Sequence, residues 1–352
     1  MQSHAWAVGR RWITGMALAG AVALVSTGAA AARVDGPPVT WNFAMYGQKR
    51  AATFGFEELS RRLDAATDGK FKLTIHYGAT LAPEKELLDG ITIGAYEMTL
   101  GVPGFIPGKL PVCEGIGLPF LPQPTTRHTR AVRDAFFAHP APQADLGRWG
   151  ANFIMSLPVG ANEFVGKGKP PLTLADWKGL RVRALSGDAK AMQLLGASPQ
   201  NVPTPEIYGA LERGLLNAAS APPYALAAFR NHEVSDWFTS NAALSASASF
   251  VIGSVKATGA LPPQYRQLLF EEAKPSTEEW AKVLASDDLK AFETFRARGL
   301  REIRYSPADL DQLAQAAKPI WDEWVADVTK RGHPGQELLD LILRAARSVP
   351  AS

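Results

Sequence analysis

Apolar residues change their period along the chain, and the changes mark out its elements. Val39-Thr-Trp-Asn-Phe-Ala-Met45 reads as a strand, and Phe71-Lys-Leu-Thr-Ile-His-Tyr77 alternates apolar and polar positions strictly. Between them Phe56, Leu59, Leu63 and Ala66 recur at helical spacing over 53–67. Gly69 ends that helix, because glycine tolerates the left-handed cap conformation. Residues 82–90 predict a short helix and 96–100 a third strand. A β-α-β-α-β order with short connections predicts a mostly parallel sheet with helices on its faces.

The same rhythm resumes past Ala151. Residues 180–184 predict a strand, with Ser186 capping the next helix, Asp188 in its first turn and Gly196 closing it. Thr204-Pro-Glu-Ile-Tyr-Gly-Ala-Leu-Glu-Arg-Gly214 is punctuated at both ends. Threonine stands at the cap, proline at the first helical position and glycine after the end. Leu215 and Leu216 begin another strand, and Phe250-Val-Ile-Gly-Ser-Val255 is a later one. From Pro262 onward the pattern is helical. A long helix over 277–298 carries Trp280, Leu284, Leu289 and Phe292, and Ser306 opens a further one with Trp321 and Trp324. Two α/β lobes followed by long helices imply a cleft between lobes, bridged by later segments.

Charge and the N-terminus change the picture in one respect. The 352 residues carry a formal net charge of +3. Arg10-Arg11, the apolar run from Ile13 to Val25 and the small residues after it describe an export signal over 1–31, cleaved near Ala31 or Ala32. The run is shorter than the roughly 20 residues a membrane span needs, so the processed chain is expected to be exported and not membrane-spanning. Removing the two arginines leaves 3 − 2 = +1, a balance that gives nucleic-acid binding no footing. Cys113 is the only cysteine. An exported chain with one thiol has no internal disulfide, and Cys113 is expected to pack as a small apolar residue.

The sequence carries no G-x-S-x-G, S-x-x-K or H-E-x-x-H. Gly101-Val-Pro-Gly104 and Gly166-Lys-Gly168 match neither a P-loop nor a dinucleotide fingerprint. The six histidines show no metal-ligand spacing. No cofactor or metal is expected, and a binding protein is favoured over an enzyme; an exported enzyme of unfamiliar class is the alternative. One stretch does point to chemistry. In Lys178-Gly-Leu-Arg-Val-Arg-Ala-Leu-Ser-Gly-Asp188, alternation puts Arg181 and Arg183 on one face of a strand and Val182 on the other.

Several stretches, in order, resemble the solute-binding proteins of TRAP transporters, the DctP-type periplasmic receptors. They are His76-Tyr-Gly-Ala-Thr-Leu-Ala-Pro-Glu-Lys-Glu-Leu-Leu-Asp-Gly90, Leu118-Pro-Phe-Leu121, Asp176-Trp-Lys-Gly-Leu-Arg-Val-Arg183, Leu195-Gly-Ala-Ser-Pro-Gln200 and Pro205 to Gly214. The resemblance implies a two-lobed α/β periplasmic binding protein fold, type II-like, with mixed, mostly parallel sheets. On that frame lobe I spans 38–158 plus 248–276, lobe II spans 159–247 plus 299–350, and 277–298 bridges both. It also implies a periplasmic receptor that passes a small organic acid to TRAP membrane permease subunits and does no chemistry. A receptor of an ATP-driven uptake system shares the two-lobed shape; the long helix and the ordered motifs argue against it.

The resemblance places Arg183 where the family's arginine meets the ligand carboxylate. A guanidinium offers a planar fork for two parallel hydrogen bonds, so the physical case agrees. The alternative is a local pair between Arg183 and Asp188. Two departures bear on the ligand. Many relatives carry a second arginine where Asn162 stands, and members for sialic acid or dicarboxylates carry Glu-Asn where Ser220 and Ala221 stand. A pocket with fewer charges suits a monocarboxylate, with an aromatic or other apolar body. Glu163 is a further candidate for a ligand hydroxyl or amine. Thr204 and Glu206 stand in the first turn of the short helix expected to face the cleft. Phe105 and Trp149 are candidate apolar walls, and Tyr46 follows the first strand, where ligands approach the carboxyl ends of parallel strands.

Overall fold

The computed structural model describes residues 33–350; the expected export signal lies outside the described residues. Its strands are β1 (Val39–Ala44), β2 (Phe71–His76), β3 (Met98–Gly101), β4 (Ala151–Ser156), β5 (Glu163–Gly166), β6 (Arg181–Arg183), β7 (Ser198–Gln200), β8 (Ala218–Ala221), β9 (Trp237–Thr239), β10 (Phe250–Ser254) and β11 (Arg301–Ile303). They form two sheets, ordered β2-β1-β3-β10-β4 and β11-β9-β5-β8-β6-β7. In the first, β1 pairs in parallel with β2 and β3, while β10 runs antiparallel to β3 and β4. In the second, β6 is parallel to β7 and β8, while β5 is antiparallel to β8 and β9. β3 and β8 are buried along their whole length, which is why neither alternates as β2 does.

Each sheet anchors its own lobe, and the chain crosses between them after β4, before β10 and along one helix. That helix runs from Pro263 to Ala297. Proline at its first position costs no hydrogen bond, since that N–H has no partner inside a helix. It therefore starts well before the expected 277, and 263–276 form its first half. Leu268, Leu269, Trp280 and Leu284 enter the first lobe's core, whereas Ala291 and Phe295 enter the second's. One apolar stripe thus holds both lobes.

The C-terminal helices depart from the expected boundaries. On the helix Pro307–Lys330, Leu313 packs in the second lobe, but Ala317, Ile320, Trp324 and Val328 pack in the first. The last helix, Gly335–Arg347, buries Leu338, Leu339, Ile342 and Ala346 in the first lobe as well. Residues 299–350 are therefore not a second-lobe unit. An amphipathic stripe announces that a helix is buried on one side, not which partner covers it. Two smaller differences concern caps. The helix Ser186–Leu194 has Leu185 as its cap, Ser186 adopts φ +45° and no side chain caps it. Leu215 and Leu216 remain in the turn around Gly214, and the strand begins at Ala218.

Trp280 shows how tightly the bridging helix is seated. Its ring meets Phe56 edge-on at 5.7 Å, and its indole N–H donates to the Ala51 carbonyl at 2.9 Å. The helix Phe54–Ala66 admits it through Gly55, where an added Cβ would lie 1.9 Å from the indole. Trp280→Ala is expected to cost about 3–5 kcal/mol, through the cavity and the orphaned carbonyl. A drop in the urea or thermal midpoint checks this; an unchanged midpoint would mean the helix is not seated by that ring.

Candidate functional site

Parallel strands present ligand sites at their carboxyl ends, and here the ends of two sheets face each other. Arg183 ends β6, Ala221 ends β8, and Tyr46 and Val102 follow β1 and β3. Between them lies a cavity of about 60 Å³. The first lobe contributes Tyr46, Leu100, Val102, Phe105, Leu157 and Val159 to its wall. The second contributes Arg183, Leu185, Thr204, Ala221, Pro222 and Tyr224, and the crossing segment adds Ser247 and Ser249. Apart from Arg183, the lining is apolar or uncharged.

The two arginines of β6 have different fates. Arg181 is exposed and caps the turn ahead of β8, donating to the Gly214 and Leu215 carbonyls. Arg183 is 4% exposed. Its Nε donates to the Val202 carbonyl at 3.2 Å, Nη1 to the Ser220 carbonyl at 2.9 Å and Nη2 to Thr204 Oγ1 at 3.1 Å. These take three of the five guanidinium N–H groups and leave one on each terminal nitrogen, the number an end-on carboxylate fork needs. Among the described residues no carboxylate lies within 4.0 Å of it. Burial pushes its pKa below the usual arginine value, while the charges of Glu84, Tyr46 and Asp188 pull it back up.

Asp188, the alternative partner, is engaged elsewhere. It accepts from Asn162 Nδ2 at 2.8 Å, from Ser245 Oγ at 2.7 Å and from Ser220 Oγ. Asn162 also donates its backbone N–H to the Ser245 carbonyl and accepts from Ser247 Oγ at 3.0 Å. Asn162 and Ser220 therefore fasten the crossing segments behind the cavity, and neither lines it; Ser220 meets Arg183 only through its carbonyl.

The remaining candidates divide. Tyr46 and Phe105 both line the cavity, their rings edge-on at 5.4 Å. Thr204 lines it too, but not as a helix cap: Pro203 is the cap, and Thr204 begins a 3-10 turn whose last residue, Glu206, is exposed to solvent away from the cavity. Trp149 also lies elsewhere, its indole N–H on the Lys109 carbonyl at 2.9 Å and the Lys109 ammonium 5.0 Å from its ring centre. Glu163 is buried and turned away from the cavity. It accepts from Thr239 Oγ1, from Ala242 N at 3.1 Å and from Ala243 N at 3.2 Å, pinning the loop after β9.

The sequence reading missed Glu84, Leu157, Val159, Leu185, Tyr224 and the serines of 245–249. Glu84 lay inside the quoted 76–90 stretch with no periodic signal pointing it at the other lobe. A larger cavity, about 430 Å³, lies outside the cleft among Arg130, Phe153, Met155 and Phe270. Its Arg130 is half-exposed and paired with Glu278 at 2.9 Å, so it offers no buried cation for an acid. The interlobe cavity is the candidate site.

Burial pushes the Glu163 carboxyl up to about 7 from 4.5, against the three hydrogen bonds it accepts. The folded protein then keeps a proton that the unfolded chain releases. This group's contribution is full below about pH 4.5 and is lost as pH rises through 7, about 3 kcal/mol in all. Urea midpoints of the wild type should fall from pH 5 to pH 8, and Glu163→Gln should flatten that slope; an equal slope in both would refute the assignment. Gly104 stands where the two lobes meet. At Gly104 an added Cβ would lie 2.7 Å from Ser186 Oγ and 3.0 Å from Leu185 Cβ, across the cleft. Gly104→Val should hold the lobes apart and weaken acid binding at least tenfold with an unaltered circular dichroism spectrum. Calorimetry that finds equal affinity would show that the lobes do not need this approach.

The family model for bacterial extracellular solute-binding proteins, family 7 (DctP), matches residues 46–327. The chain is 25% identical over 285 residues to the 2,3-diketo-L-gulonate-binding periplasmic protein YiaO of Escherichia coli, covering 80% of this chain and 84% of that one. Among solved structures, a TRAP solute-binding protein of Rhodoferax ferrireducens in complex with benzoate superposes with a TM-score of 0.77 at 21% identity, covering 88% of this chain and 98% of that one. A marine-metagenome TRAP solute-binding protein specific for aromatic acid ligands, with 3-hydroxybenzoate, gives 0.78 at 17% identity, covering 90% and 100%. No helix among the described residues is long and apolar enough to cross a membrane. With two sheets facing across a cleft and a family match over most of its length, the chain belongs to the DctP family, the solute-binding proteins of TRAP transporters.

Proposed function

We propose that the chain is the receptor for a small monocarboxylic acid with an aromatic or other apolar body, held by its carboxylate on Arg183. The observation that carries this reading is a buried guanidinium with one unused N–H on each terminal nitrogen, facing a cavity that is otherwise uncharged. Hydrogen bonds to a charged group contribute roughly 1.5–3 kcal/mol each in net terms. One fork supplies a large part of the roughly −8 kcal/mol of a micromolar complex. The apolar body then packs against Tyr46, Phe105, Leu157 and Val159 of the first lobe and Leu185 and Tyr224 of the second. Because both lobes contribute wall, the ligand favours the closed arrangement over the open one, and by that difference alone. The closed receptor docks on the membrane permease subunits, releases the acid unchanged and reopens.

Benzoate and 3-hydroxybenzoate, named with solved relatives, are the first acids to test. Titration calorimetry should find stoichiometric binding without turnover. Arg183→Ala should lower the affinity at least a hundredfold, since truncating one side of a buried charge pair costs about 2–5 kcal/mol. Arg183→Lys keeps the charge without the fork and should recover only part of it. The reading fails if Arg183→Ala binds the same acid equally well, or if a thermal-shift screen finds that only dicarboxylates or sialic acids stabilise the protein.

A further inference from the structure

Glu84 is a buried acid beside this site, behind the lining residue Thr204. It opens a 3-10 turn, Glu84–Glu86, in the first lobe and is 4% exposed. Its carboxylate reaches across the cleft, where both oxygens accept from the Thr204 backbone N–H, at 3.0 and 3.1 Å. Neighbouring contacts reinforce the crossing: Lys85 Nζ donates to the Asn201 carbonyl at 3.1 Å, and Asn201 Nδ2 donates to the Gly104 carbonyl at 3.2 Å. Among the described residues no cation lies within 4.0 Å of Glu84. Thr204 is therefore shared between two opposite, unpaired charges. Its N–H goes to Glu84 of one lobe and its hydroxyl accepts from Arg183 of the other.

We propose that Glu84 sets the charge the pocket accepts: with Arg183 gripping one carboxylate, the Glu84 carboxylate turns away any ligand that carries a second. This rests on the reading of Arg183 as the anchor. Both charges stand close to the ligand space, since the lining residue Thr204 bonds Glu84 through its N–H and Arg183 through its hydroxyl. Like charges brought together away from water repel far more strongly than they do in solvent. Among the described residues Arg183 is the one charged side chain in the cavity lining, and its two remaining N–H groups serve one carboxylate. A second carboxylate would meet the Glu84 charge beside the cavity, while the buried Arg133 behind the serine wall spends its Nε and Nη2 on the Ser249 and Ser247 carbonyls. Burial already raises the Glu84 carboxyl above its ordinary range, with Arg183 and the Thr204 N–H pulling it back. The group is thus poorly compensated before any second anion arrives.

Size and charge are separated by three probes: benzoate, isophthalate and 3-carbamoylbenzoate, the last matching isophthalate in shape with one carboxylate fewer. The wild type should bind 3-carbamoylbenzoate at least thirtyfold more tightly than isophthalate, and Glu84→Gln should shrink that gap below threefold while still binding benzoate. Glu84→Ala, which removes bulk as well as charge, should show the same collapse of the gap. A gap left intact in both variants, with benzoate still bound, overturns the role of Glu84 and leaves Arg183 as the anchor. Wild-type preference for isophthalate over its monoamide overturns both. If Arg183→Ala leaves benzoate affinity unchanged, the anchor fails, and the Glu84 proposal falls with it.

Discussion

A guanidinium kept from water without a counterion is the constraint around which this protein is arranged. Desolvating such a charge costs several kcal/mol unless hydrogen bonds and an opposite charge replace the lost water. Here the protein supplies two carbonyls and a hydroxyl to Arg183 and stops there. Those acceptors come from β8, from the turn after β7 and from Thr204, all in the second lobe, so the side chain is fixed before the first lobe arrives. Only the field of Glu84 comes from across the cleft. On the proposed reading, a carboxylate entering the cavity would supply what is missing and the lobes would meet over it, which would make recognition and closure one event.

The carboxylates near the cleft follow a different rule. Asp188, Glu163 and Asp288 are held by neutral donors and not by cations. Asp188 has three side-chain donors, Glu163 has two backbone N–H groups and a hydroxyl, and Asp288 takes the Tyr224 N–H at 2.9 Å. Each sits where a connecting segment meets a lobe, and burial raises all three. Among the described residues Arg183 is the one cation in the cavity lining; Arg133 stands behind it on the Ser247 and Ser249 carbonyls, and Arg50 packs against the Tyr46 ring. The cost of holding the carboxylates with neutral donors is that the proton balance of the hinge region varies with pH near neutrality.

How much of this was legible in the sequence depends on what kind of signal each feature leaves. The strand β2 and the helix Phe54–Ala66 were readable because one face is buried and the other wet, so burial writes itself as a period. The helix Gly335–Arg347 was equally readable as a helix, yet its partner was not, because amphipathicity carries no address. Arg183 was found through ordered resemblance; the pattern alone would have served Arg181 as well. Neighbouring turns separate the two, since Gly214 and Leu215 offer carbonyls to the first and the cleft receives the second. Asn162, Glu163 and Ser220 were expected to face the ligand, and their side chains meet connecting segments instead. A polar residue beside a hinge looks the same in sequence whether it faces the ligand or the connecting chain. Glu84 left no trace, because its partner is a backbone N–H 120 residues away, and any residue type can provide one.

With Arg183 as the proposed anchor, the shared position of Thr204 would also fix the direction in which an acid enters. The end that carries negative charge is drawn to the second lobe, where Arg183 lies, and is repelled from the first, where Glu84 stands. The body of the ligand meets the opposite arrangement. The first lobe's wall of Leu100, Val102, Phe105, Leu157 and Val159 has no charge to satisfy and gains from excluding water. Reversing the ligand would put its carboxylate beside Glu84 and its apolar end against an uncompensated guanidinium, two losses at once.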